Sequence, residues 1–529
     1  MPAPRTYITT TIPYVNGRPH LGHALELVQA DVLARHWRQR GEQVRFQTGT
    51  DDNSLKNVLA AQAEGIGVQE FVDRNAAAFI ELAGPLSLSV DDVIRTSCDP
   101  RHRAGVERLW RACADAGDLH RRHYAGLYCV GCEQFYPEAE LNDGRCPEHD
   151  VPPEPVSEEN WFFALSRYAG RLRSLIETDA LRIVPAERRN EVLAFIAGGL
   201  DDFSISRSVA RAHGWGIPVP GDPSQVIYVW WDALGNYITA LGYGTGGADY
   251  QRWWAGAQHR VHLVGKDVLR FHAVYWPAML LSADLPLPTQ IVVHDFLTAD
   301  GRKISKSGGP TVDPADLAGR YGTDAIRWWL LREVPRVGDV DFTVARLVSR
   351  ANNELANGIG NLVNRVVAMI HRYRDGQVPP GPVPSGRAVP PPGPVPSGGA
   401  GPLQRACREA PGLVDSALAA RDFRRATSAL WSIVDEANRY INVIRPWELA
   451  RSEQAGDRQA ASDLDAALSI LILACQTIAE HLATFLPGAA SLITRQCTPV
   501  HDRLPAPTPL FARLPPSDPH DPAPASAAR

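Results

Sequence analysis

Lysine is nearly absent from this sequence. Only four lysines occur, Lys56, Lys266, Lys303 and Lys306, among 54 lysine and arginine residues, so arginine supplies almost all of the positive charge. A planar guanidinium does not replace a compact ammonium where a point charge must sit among phosphate oxygens. The four lysines are therefore candidates for chemistry, above all the close pair Lys303 and Lys306. The alternative is that biased codon usage left four lysines at random.

An excess of positive charge and long apolar runs are missing as well. The formal net charge is −5 at pH 7, which excludes a general basic field for non-specific nucleic-acid binding, so any RNA contact must be local. No run of about 18 apolar residues occurs, and the first residues, MPAPRTYITT, lack the charged and apolar regions of a signal peptide. We therefore expect a cytoplasmic protein that makes no membrane contact, and a monomer, because no dimerisation domain follows the predicted helices.

The cysteines do not form a disulfide framework. Eight are scattered along the chain, and only three of them cluster. Cys129 and Cys132 form C-x2-C, and Cys146 and His149 form C-x2-H, so that two ligand pairs lie on short turns. Four such donors make a closed tetrahedral zinc site without an open catalytic position. The spacing predicts structural zinc; the alternative is four unligated side chains.

Length and periodicity predict an α/β protein with several packed units. A chain of 529 residues with 44% hydrophobic and 21% charged residues is globular and too long for one core. Residues 7–14 predict a strand, residues 20–40 a helix, and residues 44–48 a second strand that ends in Gly-Thr-Asp-Asp. This βαβ unit is typical of a doubly wound parallel sheet, in which ligands collect at the strand ends.

Later segments predict an insertion, a return to the sheet and a helical bundle. Residues 118–156 are interrupted by glycine, proline and cysteine, as in an insertion. Further strands or strand ends are predicted at residues 226–237, 261–266 and 291–297, with a helix at 271–281. The helices of the bundle are predicted at residues 324–333, 344–373, 403–444 with an interruption, and 459–485.

The predicted domain boundaries follow from these segments. They are 1–115 and 211–305 for the two halves of a Rossmann-type catalytic domain, 116–210 for the insertion, 306–350 for the lysine loop and adjoining region, and 351–498 for the helical domain. Within the helical domain, PPGPVPSG occurs twice, so residues 376–402 are expected to form an exposed loop. Residues 499–529 are expected to form a mostly disordered tail.

The segment His20-Leu21-Gly22-His23 opens the first helix directly after a strand. Two imidazoles there can donate hydrogen bonds to a phosphoryl group held at the helix N-terminus, where free N–H groups and the helix dipole favour negative charge. Gly22 leaves room for an adenine ring against the backbone. A histidine pair that binds metal, or two surface histidines, are the alternatives.

A second candidate loop carries Lys303, Ser305, Lys306 and Ser307. It follows Asp-Gly and precedes Gly-Gly-Pro, so two ammonium groups and two hydroxyls lie on a glycine-flanked segment. Such a loop can close on phosphates and neutralise the charge that develops as pyrophosphate leaves. The alternative is a solvated basic turn.

Taken together, HLGH and KISKS resemble the paired HIGH and KMSKS signatures of class I aminoacyl-tRNA synthetases. The longer segments PYVNGRPHLGHA, LVGKDVLRFHAVYWPAML and DGRKISKS are similar to the methionyl-tRNA synthetases in particular, and the resemblance covers residues 7–486. It implies ATP-dependent activation of methionine, with Mg²⁺ accompanying ATP, and transfer to tRNA(Met). It implies catalytic roles for His20, His23, Lys303 and Lys306, and ATP contacts from these four with Gly22, Ser305 and Ser307.

The resemblance also implies three further sites. A single zinc knuckle at Cys129, Cys132, Cys146 and His149 would shape the region that faces the acceptor end of tRNA. Asn361, Arg365 and Trp447 would read the anticodon through hydrogen bonds and stacking. The methionine pocket would be lined by Ile12, Pro13, Tyr14, Asp51, Trp230, Ala233, Tyr237 and His294, with Asp51 facing the α-ammonium.

Four residues depart from the family pattern. The segment commonly written GTDEHG ends here in Asp52, Asn53 and Ser54, and Asp295 stands where the family usually has glycine. These departures motivate one alternative, a paralogue that activates another amino acid or uses an acceptor other than tRNA. A second alternative is a non-catalytic RNA-binding regulator, against which the intact HLGH and KISKS segments argue.

Overall fold

The computed structural model describes residues 3–130, 134–147, 150–299, 301–304, 312–380 and 400–515, without the side chains of Gln134, Lys303 and Ala400. The chain divides into two compact units. Unit 1 contains Met1–Gly84, Leu88–Phe296 and Ile304–Asp313. Unit 2 contains Pro85–Ser87, Leu297–Lys303 and Pro314–Arg529.

The described residues contain sixteen β-strands, of which the first thirteen lie in unit 1 and the last three in unit 2. They are β1 (Arg5–Thr10), β2 (Gln43–Thr50), β3 (Asp92–Arg95), β4 (Leu119–Cys129), β5 (Gln134–Tyr136), β6 (Glu154–Phe163), β7 (Arg182–Val184), β8 (Phe203–Ser204), β9 (Ser206–Ser208), β10 (Pro218–Val219), β11 (Asp222–Ile227), β12 (His259–Gly265), β13 (Gln290–His294), β14 (Leu297–Ala299), β15 (Arg302–Lys303) and β16 (Val340–Asp341).

Of the seventeen α-helices in the described residues, the first eight lie in unit 1 and the last nine in unit 2. They are α1 (Leu21–Gln39), α2 (Leu55–Glu64), α3 (Val68–Ile80), α4 (Pro100–Asp115), α5 (Ala169–Glu177), α6 (Ala186–Ala197), α7 (Val229–Thr239), α8 (Trp276–Ser282), α9 (Pro314–Tyr321), α10 (Thr323–Arg332), α11 (Val344–Arg350), α12 (Asn361–Arg374), α13 (Ala400–Ala419), α14 (Phe423–Ile444), α15 (Pro446–Gln454), α16 (Arg458–Leu482) and α17 (Pro487–Cys497). Short π-helical segments precede α8 and α12.

A six-stranded parallel sheet organises unit 1. Its strand order is β3-β2-β1-β12-β13-β7, and every pairing between neighbours is parallel. The chain leaves β1 toward β2 on one side, and β12 joins β1 on the other side. The strand order therefore reverses at β1, which is where a doubly wound sheet opens a crevice at its carboxyl ends. The predicted fold class and the βαβ unit β1-α1-β2 are confirmed.

The insertion forms an antiparallel sheet of its own. Its strand order is β5-β4-β6-β8, and the β4-β6 pairing extends over ten residue pairs from Leu119 and Phe163 to Tyr128 and Glu154. The glycines, prolines and cysteines that interrupt the sequence lie mostly between β4 and β6. The sequence predicted an insertion here, and the structure adds the hairpin that carries the two cysteine turns.

One predicted strand segment is wrong. Residues 226–237 were expected to be extended, but β11 ends at Ile227 and helix α7 occupies Val229–Thr239. Ten of the eleven residues of α7 are buried. A helix that is buried on all sides shows no amphipathic period, so its apolar run cannot be told from that of a buried strand. The aromatic residues assigned to a strand end therefore lie on a helix.

Unit 2 contains the helical bundle α10–α17. The predicted helices agree with α10, with the continuous run from α11 to α12, with α13 and α14, and with α16. Within the described residues, one helix, α16, is long and apolar enough to cross a membrane by length and composition alone. Of its most apolar 18-residue window, 56% is buried inside the protein, as is typical of a core helix.

The predicted Pro/Gly-rich loop lies partly outside the described residues. Residues 381–399 are not described, and α13 begins at Ala400, two residues before the predicted end of the loop. On the amino-terminal side, Pro379 accepts a hydrogen bond at its carbonyl oxygen from the buried Ser469 hydroxyl, at 3.0 Å.

The first half of the predicted tail is packed. Leu504 is buried and donates its N–H to the carbonyl oxygen of Gly376 at 2.8 Å. The Asn352 side chain accepts from the Leu514 N–H at 2.8 Å and donates to its carbonyl oxygen at 2.9 Å. Residues 499–515 thus follow the surface of the bundle, which differs from the expected disorder. Apolar residues scattered among prolines give no periodic signal for such packing.

Candidate functional site

The predicted site residues of unit 1 collect where the parallel strands end. Ile12, Pro13 and Tyr14 follow β1, and Asp51 follows β2. A backbone bridge joins Tyr14 to Asp51, and the Asp51 N–H donates to the Pro13 carbonyl oxygen at 2.9 Å. The two segments therefore share one wall of the crevice, in which Asp51 is a buried carboxylate, 1% exposed.

The two histidines of HLGH cap helix α1. The Nδ1 atom of His20 accepts from the Gly22 N–H at 3.1 Å, and the Nδ1 atom of His23 accepts from the His20 N–H at 3.0 Å. Their rings are stacked, with centroids 3.7 Å apart. Because both Nδ1 atoms accept, the proton of each neutral ring lies on Nε2. Two N–H donors are thus fixed at the positive end of the helix dipole, where anions bind.

The position of the His20 ring requires a glycine at residue 22. A Cβ at Gly22 would lie 2.9 Å from Cε1 and 3.0 Å from Nδ1 of the His20 ring. That distance is shorter than a carbon–carbon contact, so a larger residue would displace the ring from its capping position. The adenine contact inferred from the sequence stays a prediction.

The chain after the lysine loop is tied to HLGH. The Leu21 N–H donates to the Val312 carbonyl oxygen at 2.9 Å. Arg18, in the turn before the motif, binds the buried Asp313 carboxylate through Nε at 3.0 Å and Nη2 at 2.9 Å. Both contacts lie within unit 1. They hold residues 312 and 313, the first described residues after the lysine loop, at the start of α1.

The loop itself is only partly described. Lys303 ends β15, where its backbone pairs with Thr298 of β14, but its side chain is not described. Ser305, Lys306 and Ser307 lie outside the described residues. Their predicted roles rest on the sequence and on the anchoring of residues 312 and 313.

Aromatic rings line the other side of the crevice. The Trp230 ring, on α7, stacks on Phe271 with centroids 3.7 Å apart and planes within 5°. Tyr14 meets Trp230 edge to face at 6.3 Å, and the Lys56 ammonium lies 5.1 Å from the Tyr14 ring centroid. Tyr14 and Trp230, predicted from the sequence, are therefore neighbours, and Phe271 completes the wall.

A buried hydrogen-bonded chain fixes Tyr237, which also lies on α7. The Tyr237 hydroxyl is 2.7 Å from Nε2 of His272, and the His272 Nδ1 is 2.9 Å from the Val268 carbonyl oxygen. Since a carbonyl can only accept, Nδ1 carries the proton, and the tyrosine hydroxyl donates to Nε2. Burial lowers the pKa of His272 to about 4 and raises that of Tyr237 well above its ordinary value.

A second buried histidine lies against the same tyrosine. His262 stacks near the Tyr237 ring at 4.1 Å, accepts from the Trp276 indole at 3.2 Å and contacts the Thr9 hydroxyl at 2.6 Å. Burial lowers the pKa of His262 well below its ordinary value, so both histidines are neutral at pH 7. The floor around Tyr237 and Ala233 is therefore uncharged, which disfavours a charged ligand side chain.

His294 has a different environment from the one predicted. Its Nε2 lies 2.9 Å from Oε2 of Glu26, and its Nδ1 lies 2.9 Å from the Asp295 carbonyl oxygen. Both ring nitrogens face acceptors. Burial alone would lower the pKa of His294, but the Glu26 carboxylate outweighs it and raises the pKa. Oε1 of Glu26 also accepts from the Thr11 N–H and hydroxyl, each at 2.6 Å.

The sequence missed Phe271, His272 and Glu26. The first two stand in the quoted segment LVGKDVLRFHAVYWPAML, so the signal was present, but only the fold shows that they contact Trp230 and Tyr237. Glu26 lies six residues after His20, on the buried side of α1, where a carboxylate needs a partner. A carboxylate at a buried position of the predicted helix was therefore a signal in the sequence that could have identified Glu26.

The charges that depart from the family pattern are paired within the protein. Asp52 is fully buried, forms an ion pair with Arg95 at 2.8 Å and accepts from the Ser97 hydroxyl at 2.6 Å. Burial raises the pKa of Asp52 despite these partners. Asp295 pairs with Arg188. Ser54 caps α2 by accepting from the Lys56 N–H at 3.1 Å. None of these three needs a ligand to satisfy it.

Two of the four predicted zinc ligands are described. Cys129 ends β4, Cys146 lies between β5 and β6, and both are buried in one cluster with Tyr136. The Asp150 N–H donates to the Cys146 carbonyl oxygen at 2.9 Å. Cys132 and His149 lie outside the described residues, and within the described part no group of three or more His, Cys, Asp or Glu side chains could hold a metal.

The residues predicted to read the anticodon lie in the bundle of unit 2. Asn361 and Arg365 occupy one face of α12, four residues apart, and Arg365 Nη1 lies 3.4 Å from Oδ1 of Asn438 on α14. Trp447 stands in the first turn of α15 with 41% of its side chain exposed. An exposed indole offers a face on which an unpaired base can stack.

Comparison with known proteins identifies close relatives. The family model described as tRNA synthetases class I (M) matches residues 6–154 and 139–367. Methionine--tRNA ligase of Brucella suis biovar 1 is 43% identical over 454 residues, which cover 85% of this chain and 84% of the relative. The enzyme of Rhizobium meliloti is 40% identical over 497 residues, covering 92% of this chain and 90% of the relative.

Solved structures agree with these relatives. Mycobacterium tuberculosis methionyl-tRNA synthetase bound by methionyl-adenylate matches with a TM-score of 0.88 and 34% identity, over 96% of this chain and all of that one. Its apo form matches with a TM-score of 0.82 and 33% identity, over 97% of this chain and 99% of that one.

The Glu26–His294 pair predicts a pH dependence of stability. A histidine with a raised folded-state pKa stabilises the fold fully below its unfolded pKa of about 6.5, and this contribution is lost as pH rises through the folded-state pKa. We expect Glu26→Gln to lower the free energy of unfolding at pH 6 by about 1–3 kcal/mol. We also expect it to flatten the decline in stability above pH 6.5, measured by chemical denaturation.

Glu64→Gln is the matched control for this substitution. Glu64 pairs with Arg74 at the surface, where both side chains are about half exposed, so its loss should change the free energy of unfolding by less than about 0.5 kcal/mol. Equal pH profiles for the wild type and Glu26→Gln would contradict the assignment.

Proposed function

Because this chain belongs to the class I methionyl-tRNA synthetases, we propose roles for its residues in the two steps of that reaction. The chain is a methionine–tRNA ligase, which joins methionine to tRNA(Met) at the expense of ATP. In the first step a methionine carboxylate oxygen attacks the α-phosphorus of ATP, the bond to the β-phosphate breaks and pyrophosphate leaves. In the second step a ribose hydroxyl of the terminal adenosine attacks the acyl carbon, and AMP leaves.

His20 and His23 bind the phosphates in this proposal. Their Nε2–H groups and the N-terminus of α1 stabilise negative charge as it develops in the transition state. ATP enters as its magnesium complex, in which the ion neutralises phosphate charge and is held largely by the phosphates themselves. No side chain acts as a covalent nucleophile.

Lys303 and Lys306 follow the departing pyrophosphate. The observation that carries this proposal is the hydrogen bond from the Leu21 N–H to the Val312 carbonyl oxygen, supported by the Arg18–Asp313 ion pair. These contacts hold residues 312 and 313, which follow the KISKS segment in the chain, at the helix terminus that carries both imidazoles. Ser305 and Ser307 supply hydroxyls to the same phosphates.

The amino-acid pocket holds methionine by its two ends. Asp51 faces the α-ammonium, and the rings of Tyr14, Trp230 and Tyr237 surround the thioether, which gains from sulfur–aromatic contacts. Ile12, Pro13 and Ala233 complete the apolar lining. His272 fixes Tyr237 in this pocket, and the role of His294, which pairs with Glu26, stays a prediction.

The alternative of a paralogue with another substrate loses its motivation. It rested on Asp52, Asn53, Ser54 and Asp295, but the two extra carboxylates are paired with Arg95 and Arg188. A charged or polar substrate would need one of them to face the pocket.

A structural zinc ion is proposed at Cys129, Cys132, Cys146 and His149. The buried pair Cys129 and Cys146, in one cluster and at the two predicted turns, supports the donor set. Zinc would cross-link the hairpin insertion, and its four protein ligands would leave no coordination position open for a catalytic water or substrate.

The bundle of unit 2 is proposed to read the tRNA(Met) anticodon through Asn361, Arg365 and Trp447. Exposure of the Trp447 ring supports stacking on an unpaired base. We further propose that the enzyme is a monomer and acts in the cytoplasm, where its aminoacylated product enters translation.

The activation step is tested by pyrophosphate exchange with a panel of amino acids. We expect exchange to depend on methionine, and failure of methionine would exclude the function. Lys306→Ala should reduce exchange about a hundredfold or more, the scale of a lost transition-state contact, without lowering the melting temperature. Lys306→Arg should retain only part of the wild-type exchange activity, because a guanidinium does not fit where an ammonium binds phosphate.

The anticodon role is tested by Trp447→Ala. We expect the KM for tRNA(Met) to rise about ten- to a hundredfold, because stacking on a base contributes about 1–3 kcal/mol, while pyrophosphate exchange is unchanged. Leu413→Ala is the control, since Leu413 is also an exposed apolar residue of the bundle, 45% exposed, and should leave both assays unchanged. Equal losses in charging and exchange would indicate misfolding instead.

The zinc site is tested by elemental analysis of the purified protein. We expect about one zinc ion per chain, and its loss in Cys146→Ser, because three remaining ligands bind zinc much more weakly. Cys98→Ser, at an exposed cysteine outside the cluster, should retain the metal. A metal-free wild-type protein would contradict the site.

A further inference from the structure

Asn53 joins the two ends of the proposed amino-acid pocket. Its backbone N–H donates to Oδ1 of Asp51 at 3.3 Å, and its side-chain Nδ2 donates to Oδ2 of Asp232 at 2.6 Å. Asp51 follows strand β2, whereas Asp232 lies on helix α7 between Trp230 and Ala233. One residue thus contacts both the carboxylate assigned to the α-ammonium and the helix that carries the pocket walls.

The other described hydrogen bond of the Asp232 side chain does not join α7 to β2. It is 1% exposed, and its second oxygen accepts from Nε2 of His102 on helix α4. The other ring nitrogen of His102 lies 2.8 Å from the Thr239 hydroxyl, at the end of α7. His102 therefore ties α7 to α4. Among the described contacts of Asp232, only the Asn53 amide directs the helix toward the end of β2.

The Asn53 side chain is itself held in place. Its Nδ2 also lies 3.3 Å from the Thr96 carbonyl oxygen, after β3, and the Thr96 hydroxyl accepts from the Asp52 N–H at 2.8 Å. The neighbouring Asn57 donates from Nδ2 to the carbonyl oxygens of Asp51 and Asp52, at 3.0 and 2.9 Å. These hydrogen bonds restrain the segment between β2 and α2, and they therefore restrain the position of the Asn53 side-chain amide.

We infer that Asn53 is a positioning residue that sets the length of amino-acid side chain the pocket accepts. The inference rests on the proposed function, because it needs Asp51 to hold the α-ammonium and α7 to line the side-chain pocket. With the ammonium fixed at one end, the separation of Asp51 from Trp230, Ala233 and Tyr237 decides how long an unbranched side chain can be. Gln47 of β2 also donates to Asn236 of α7, at 3.0 Å, but the Asn53–Asp232 bond holds α7 at the end nearest Asp51 and so sets that separation.

Substitution of Asn53 tests the inference through substrate selectivity. Asn53→Ala leaves one oxygen of a buried carboxylate without its donor, so α7 loosens at this end. We expect the KM for methionine in pyrophosphate exchange to rise about tenfold, with kcat and the KM for ATP changed less than about threefold. Ethionine is one methylene longer than methionine, and one methylene changes kcat/KM by about 10- to 200-fold in an apolar pocket. We therefore expect the preference for methionine over ethionine to fall about fivefold.

Two further variants keep the test specific. Asn53→His can also donate to Asp232 and should restore the preference for methionine, whereas Asn53→Asp brings two carboxylates together and should weaken methionine binding more than alanine does. Ser97→Ala is the matched control, because Ser97 donates to Asp52 in the same cluster without contacting α7. It should leave KM and selectivity unchanged.

The outcomes separate this inference from the proposed function. A wild-type protein without methionine-dependent exchange would overturn the function. An active wild type whose Asn53→Ala variant is less stable but keeps its KM for methionine and its preference over ethionine would overturn the positioning role alone.

Discussion

Neighbouring strands of the six-stranded parallel sheet end at one edge, and the proposed activation site depends on that constraint. Because all pairings are parallel, β1, β2, β12 and β13 deliver their following residues to the same side. Residues far apart in sequence, such as Pro13 and Asp51, are thereby placed within one hydrogen bond of each other. Helix α1 begins at this edge, so its N-terminus adds a site for negative charge where the amino-acid pocket opens.

Three ionisable pairs are buried or half-buried at this edge. Glu26 with His294, Asp52 with Arg95 and Asp295 with Arg188 each place opposite charges together, since an isolated charge would be costly to remove from water. Two of the pairs hold the end of β13 to helices α1 and α6, and the third joins the segment after β2 to β3. The pocket floor at Tyr237 is neutral. A neutral, aromatic floor beside a buried carboxylate suits an amino acid with an apolar side chain and a charged ammonium group.

Prediction from the sequence succeeded where the signal is local. Helix α1 has a capping residue at His20 and ends where Arg40-Gly41 begins a turn, and both follow from short-range rules. Prediction failed at α7, whose all-round burial removes the periodicity that distinguishes a helix from a strand. The same limit applies to residues 499–515, whose packing depends on Asn352 and Gly376 more than a hundred residues earlier in the chain.

The sequence by itself determined the chemistry that is available: two imidazoles beside a helix start, lysines confined to a few positions, and two cysteine turns. These are local patterns, and they identify a family because few reactions need the same combination. Only the tertiary structure decided which groups meet. It joined Tyr237 to His272, paired His294 with Glu26, and gave Asn53 a contact on each side of the pocket, because contacts between distant segments depend on strand order and helix packing, which no local pattern contains.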